Sequence, residues 1–183
     1  MKIRATVATI LTVTSLIVGP AAMASDAATS PGPKDLTWAQ LSELKRFSSL
    51  TLSSGSMQES RALTQSCTVN TNNIYMRYSG SVYSYGAVGL KPKLTCTVTM
   101  PFISMSTTLY KKTWWGLQFE TGPVLTSGSL VRQVESKNIE KQCLSNSAMS
   151  TFYAITTSTM TFPNGSQVAG NVYQENDVPC VTF

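Results

Sequence analysis

The chain has 183 residues, 14 basic and 9 acidic side chains and no histidine. Without histidine the commonest general base and the commonest metal ligand are both missing, so Ser-His-Asp and Cys-His catalysis are excluded. Basic residues come at most in pairs, as at Lys91/Lys93 and Lys111/Lys112, far short of the like-charge runs that mark nucleic-acid surfaces, and no nucleic-acid partner is expected.

Residues 1–24 read as a secretory signal peptide. Lys2 and Arg4 form a short positive region, residues 5–18 are mostly apolar and uncharged, Gly19-Pro20 breaks the run, and Ala22 and Ala24 supply small residues for signal peptidase. Cleavage is expected after Ala24, leaving Ser25 first. A membrane-spanning helix needs about 20 apolar residues, and this Thr-containing run is shorter. The mature chain of 159 residues then carries 12 basic against 9 acidic side chains, a charge of +3. That length is enough for one domain with a core of its own. No second segment is apolar enough to span a bilayer, so no membrane span is expected after signal removal, and the localisation expected is secreted.

Residues 25–66 read as a flexible arm bearing one short helix. Its first part, residues 25–35 (Ser, Asp, Ala, Ala, Thr, Ser, Pro, Gly, Pro, Lys, Asp), reads as a flexible leader. Thr37 and Gln40 then fit a capping box, with Leu36 and Leu41 as its hydrophobic staple. A helix is predicted over residues 38–47, with Leu41 and Leu44 on one face and Lys45 and Arg46 near its end. A helix this short holds only when docked. Residues 48–66 contain Ser-Ser-Gly-Ser and read as a linker. With no cysteine and no strand period in it, the arm is expected to be dispensable for folding.

From Cys67 to the end, residues 67–183, the period becomes two. Leu94, Cys96, Val98 and Met100 alternate with Thr95, Thr97 and Thr99, which predicts a half-buried strand. Ile103, Met105, Thr107 and Leu109 repeat the pattern after a break at Pro101, as do Trp115, Leu117 and Phe119. Further strands are predicted at 74–78, 82–88, 130–134, 152–160 and 168–173. Turns are predicted at Ser79-Gly80, Gly122-Pro123, Ser127-Gly128 and Pro163-Asn164-Gly165, the last a strong hairpin signal. Eight or nine short strands at this spacing predict an all-β, disulfide-stapled antiparallel β-sandwich or a barrel, and the sandwich is preferred.

The four cysteines allow two disulfides in three pairings. Cys67–Cys96 with Cys143–Cys180 closes the smaller loops and is preferred. Each bridge stabilises by about 3–4 kcal/mol in the chain-entropy model. Zinc would need these same cysteines, and no metal or other cofactor is expected. The mature acids are Asp26, Asp35, Glu43, Glu59, Glu120, Glu135, Glu140, Glu175 and Asp177. Glu175-Asn176-Asp177 reads as a polar turn, with weak calcium binding as its rival. Tyr75, Tyr78, Tyr83, Tyr85, Trp114 and Trp115 are the better candidates for function. Strand alternation puts Trp115 inside with Leu117 and Phe119 and Trp114 outside, and places Tyr83 and Tyr85 together on one face. Such a set can stack on sugars or anchor a protein interface. Its plainer role is rim packing over a small core.

The runs Gly89-Leu90-Lys91-Pro92-Lys93-Leu94-Thr95-Cys96, Ser104 to Lys111 and Trp114-Trp115-Gly116, with the closing Val178-Pro179-Cys180, resemble small exported β-rich proteins of high-GC Gram-positive bacteria over about residues 67–183. The resemblance implies an origin and a secreted β domain, and no activity. The functional expectation is a secreted, non-catalytic binding module for an extracellular protein or surface glycan, with Trp114, Tyr83 and Tyr85 as contacts. A secreted hydrolase using paired carboxylates and a small inhibitor or antagonistic factor are the alternatives.

Overall fold

In the computed structural model the described residues are 34–42, 49–53, 65–78, 83–137 and 139–182. They form β1 (Leu36–Thr37), α1 (Trp38–Ser42), β2 (Ser49–Ser53), β3 (Ser66–Asn70), β4 (Tyr75–Arg77) and β5 (Ala87–Leu90). The long strands β6 (Lys93–Lys112) and β7 (Gly116–Glu135) follow, then β8 (Ile139–Gln142), β9 (Ser145–Thr161) and β10 (Gln167–Val181). The fold is all-β and antiparallel, as the alternation predicts. One sheet of seven strands runs β1-β7-β6-β3-β2, with β9 also on β6 and β10 on β9; a second sheet of three runs β4-β5-β8.

Several strands run longer than the sequence reading expects, and the reason lies in its break signals. Pro101 falls inside β6. On that flank of β6 the pairing with β3 ends at Cys96 and the pairing with β9 begins at Phe102. Pro101 therefore sits where one side has no strand partner, a place where a missing N–H is tolerated. Gly122-Pro123 lies within β7, where the register with β6 shifts between Thr107 and Leu109. A bulge on an outer strand takes proline for the same reason. Ser127-Gly128 also runs straight through β7, opposite Ser104 and Ile103. Asn164-Gly165 does turn the chain between β9 and β10. Gly165 has φ +81° with open space around it, and Ser166 N–H donates to Asn164 Oδ1 at 3.0 Å. Ser79-Gly80 lies outside the described residues.

Both disulfides form in the shorter-loop pairing. Cys67 and Cys96 are direct cross-strand partners on β3 and β6, and Cys143–Cys180 joins the chain just before β9 to β10. Each anchors a cluster of buried side chains. Cys67–Cys96 lies with Leu94, Met100, Ile103, Met105, Met160 and Phe162. Cys143–Cys180 lies with Ile74, Val88, Leu90, Leu109, Ile139 and Phe152, where the small sheet packs on the large one. The two sheets so packed are sandwich-like.

β structure starts ahead of Cys67. β2 pairs with β3 from Ser49↔Asn70 to Ser53↔Ser66, so residues 49–53 are a strand where the sequence reads as linker. β1 pairs with the start of β7, Leu36 opposite Leu117. The capping box forms: Thr37 N–H donates to Gln40 Oε1 at 2.9 Å, and Gln40 N–H donates to Thr37 Oγ1 at 3.4 Å. The staple residues Leu36 and Leu41 are buried together against Tyr110, Leu117, Tyr153 and Ile155. They cover the face of the large sheet opposite the small one. The described helix ends at Ser42; Leu44, Lys45 and Arg46 lie outside the described residues.

Candidate aromatic binding site

The β6–β7 hairpin carries the tryptophans. Thr113 to Trp115 form its turn, and a short net holds it: Thr113 N–H and Thr113 Oγ1 both donate to the Gly116 carbonyl at 2.8 Å. Gly116 is required here. A Cβ on it would stand 2.3 Å from the Leu36 carbonyl oxygen, so only glycine lets β1 approach β7 this closely. Because Trp114 and Trp115 are turn residues, the in-and-out rule for strands does not apply to them. Trp114 is 90% exposed, and Trp115 is 40% exposed rather than buried with Leu117 and Phe119. A Thr-x-x-Gly turn has none of the usual punctuation, which is why the sequence reads it as strand.

Trp38 completes this end of the molecule. It is the first residue of α1, its Nε1–H donates to the Trp114 carbonyl at 3.4 Å, and its ring meets Tyr153 edge-on at 6.4 Å. Lys112 Nζ lies 5.8 Å above the Trp38 ring, a cation–π contact worth about 0.5–1 kcal/mol. Tyr153 in turn packs on Tyr173 at 6.0 Å. The cap on α1 and the strands β9 and β10 therefore hold an aromatic row that alternation alone does not reveal.

Beside this row lies a polar cleft of about 300 Å³ lined by Lys112, Thr151, Glu175, Asn176 and Asp177. Glu175-Asn176-Asp177 is not a turn but part of β10. Glu175 stands opposite Tyr153 and Asp177 opposite Thr151. Directly opposed residues share a face, and so do residues two apart on a strand. Tyr173, Glu175 and Asp177 thus share a face with Thr151 and Tyr153, while Asn176 Nδ2 donates to the Ile74 carbonyl at 2.7 Å. Among the described residues no three His, Cys, Asp or Glu side chains are grouped to hold a metal ion.

Tyr83 and Tyr85 sit elsewhere, on the connection into β5. Gly86 N–H donates to the Tyr83 carbonyl at 3.1 Å, so these are turn residues and not the strand the sequence predicts. Tyr85 is exposed and Tyr83 half-buried. Tyr75, Met76, Arg77 and Tyr78 line a hollow of about 400 Å³ on the same small sheet, where Arg77 pairs with Glu140. The sequence-predicted set thus divides: Trp114 belongs to the large sheet with Trp38, and the tyrosines belong to the small sheet.

Beneath the aromatic row, Tyr110 is fully buried. Burial pushes its phenol up from 10.0 to about 12; the Thr108 hydroxyl opposes the rise and the Asp35 carboxylate adds to it. The unfolded chain loses this proton near pH 10 and the folded chain near 12. Stability is therefore full below pH 10 and falls as pH rises to 12, by about 2–3 kcal/mol in all. Alkaline denaturation followed by phenolate absorbance should show Tyr110 ionising with unfolding. Tyr110→Phe should flatten that limb; an unchanged limb would assign the loss to other groups.

Set against family models, curated proteins and solved structures, the chain matches none. Its function is read from the site alone. Among the described residues no helix is long and apolar enough to cross a membrane, and both cysteine pairs are bridged, as suits an oxidising compartment.

Proposed function

We propose that this chain is an exported, non-catalytic binding module that acts outside the cell, with the Trp38–Trp114–Trp115 end as its contact surface and a protein or surface glycan as its partner. The observation that carries the reading is Trp114, a large apolar ring left 90% exposed on a hairpin turn that is itself braced. Rim packing does not explain it, because a ring packed over a core loses most of its exposure. A rigid, exposed aromatic presents contact area with little ordering cost on binding. Export is supported by the signal-like residues 1–24 and by the two disulfides.

Trp114→Ala tests this directly. Surface material captured on the immobilised chain is purified, and each component is titrated against parent and variant. The variant should melt within about 0.5 kcal/mol of the parent. It should bind about thirty-fold more weakly, the equivalent of about 2 kcal/mol at a buried contact aromatic. Equal affinity for every captured component overturns the assignment of this surface, and so does an unfolded variant.

A further inference from the structure

We infer that the cleft beside Trp38 takes a neutral or amino-bearing glycan and rejects anionic ones, a reading that rests on the aromatic end being the binding surface. Three features converge on one face of the large sheet. The first is a polar floor: Thr151 and Asp177 oppose each other across β9 and β10, Glu175 is the next residue of β10 on that side, and Lys112 stands at its margin. The second is a neighbouring ring: Trp38, 36% exposed, packs on the buried Tyr153, and Lys112 at the cleft's margin reaches over it at 5.8 Å. The third is size. About 300 Å³ is at the lower end of small-ligand sites, which run to about 1,000 Å³.

A saccharide matches this pairing of surfaces. Its hydroxyls donate to carboxylates, and the C–H face of its ring stacks on aromatic side chains. The core of a protein–protein interface is instead depleted in Asp, Glu and Lys, whereas three of the five residues lining this cleft are charged. Among the described residues that line the cleft, two carboxylates stand against one ammonium. Uronate, sulfate or phosphate groups entering it would be repelled, while an amino group would be attracted. The floor is built on paired strands, so it stands formed before ligand arrives.

The probes are laminarin for a neutral glucan, chitosan oligosaccharide for an amino glycan and polygalacturonate for an anionic one. Each is titrated by tryptophan fluorescence against the mature chain. Laminarin or chitosan oligosaccharide should bind and polygalacturonate should not. Asp177→Asn should melt as the parent does and weaken binding about tenfold, with Glu175→Gln as the second variant should the first fold poorly. Preference for polygalacturonate, or equal binding by the carboxylate variants, overturns the glycan assignment. If Trp114→Ala still loses its captured partner in that event, the binding surface stands and only the ligand class fails. If the mature chain binds none of the three probes, the glycan assignment is again overturned. Release of reducing ends from either glycan, abolished by Glu175→Gln, overturns the non-catalytic reading itself.

Discussion

Leu36→Ala and Leu41→Ala should each lower the unfolding free energy by about 2–4 kcal/mol, within the range for emptying a buried leucine site. A chain that begins at Gln65 should lose more. Composition alone makes residues 25–66 look expendable, since they carry no cysteine and no strand period. The structure gives part of that stretch a structural task. Leu36 and Leu41 are buried on Tyr110, Leu117, Tyr153 and Ile155, and β2 pairs with β3 along five residues. Removing them returns those four side chains to water and leaves β3 with an open edge, at about 1.5–3 kcal/mol for each large side chain exposed. Denaturant unfolding with both disulfides intact measures the loss. A Gln65 chain that melts with the midpoint and slope of the chain beginning at Ser25 would show that β1 and α1 are an ornament. Trp38 leaves with the same stretch, so the shortened chain should also lose one ring of the aromatic surface.

Much of the fold could be read directly from residues. Leu94 to Met100 alternates because one face of β6 is core and the other is not, and Cys96 points with the core set to meet Cys67. Thr37, Gln40, Leu36 and Leu41 announce a capped, stapled helix start, and each forms its expected contact. Asn164-Gly165 marks a hairpin because only a few residue types accept the positive φ the turn needs. The failures share one cause. Proline and glycine signal chain breaks at Pro101, Gly122-Pro123 and Ser127-Gly128, but their local cost vanishes where a strand lacks a partner or carries a bulge. Which flank of β6 is unpaired depends on β3 and β9, far away in sequence, and no local pattern holds that information.

The site was harder to read for a related reason. Strand alternation places Trp114 outside, and it is 90% exposed, but alternation does not hold on a turn. The same rule misplaced Trp115. Nothing in the sequence singles out Trp38, because its setting, the start of a short helix, says nothing about what lies opposite until β1 docks on β7 at Gly116. Glu175 and Asp177 read as a turn because charged residues flanking Asn are common in turns. As alternate residues of a strand they instead aim two carboxylates one way. A two-residue carboxylate spacing with a tyrosine at the next alternate position, Tyr173, is the sequence signal that marks this face of β10.

Glu120→Ala should be among the most damaging single changes, at about 3 kcal/mol. The Glu120 side chain is 0% exposed. Its Oε1 accepts from Thr182 Oγ1 at 2.6 Å, and its Oε2 lies 3.5 Å from Lys141 Nζ. A buried carboxylate on β7 thus ties the large sheet to β8 of the small sheet and to the last residues of the chain. Breaking such a pair costs about 3–5 kcal/mol when the surviving charge is trapped. Lys141 keeps part of its side chain in water, which puts the cost at the lower end. Glu120→Gln retains an acceptor for Thr182 and should lose about half as much. Glu120→Leu combined with Lys141→Met removes both charges and should recover most of the stability, because buried ion pairs rarely outperform apolar neighbours of similar volume. Urea unfolding of the three variants separates these outcomes. The series also decides what kind of residue Glu120 is. A carboxylate sealed from solvent cannot touch a glycan, so its loss should move the melting curve and leave binding by the folded fraction unchanged. If Glu120→Leu with Lys141→Met is as stable as the parent chain yet fails to bind, Glu120 belongs to the functional site and the division between a structural carboxylate on β7 and ligand-facing carboxylates on β10 is wrong.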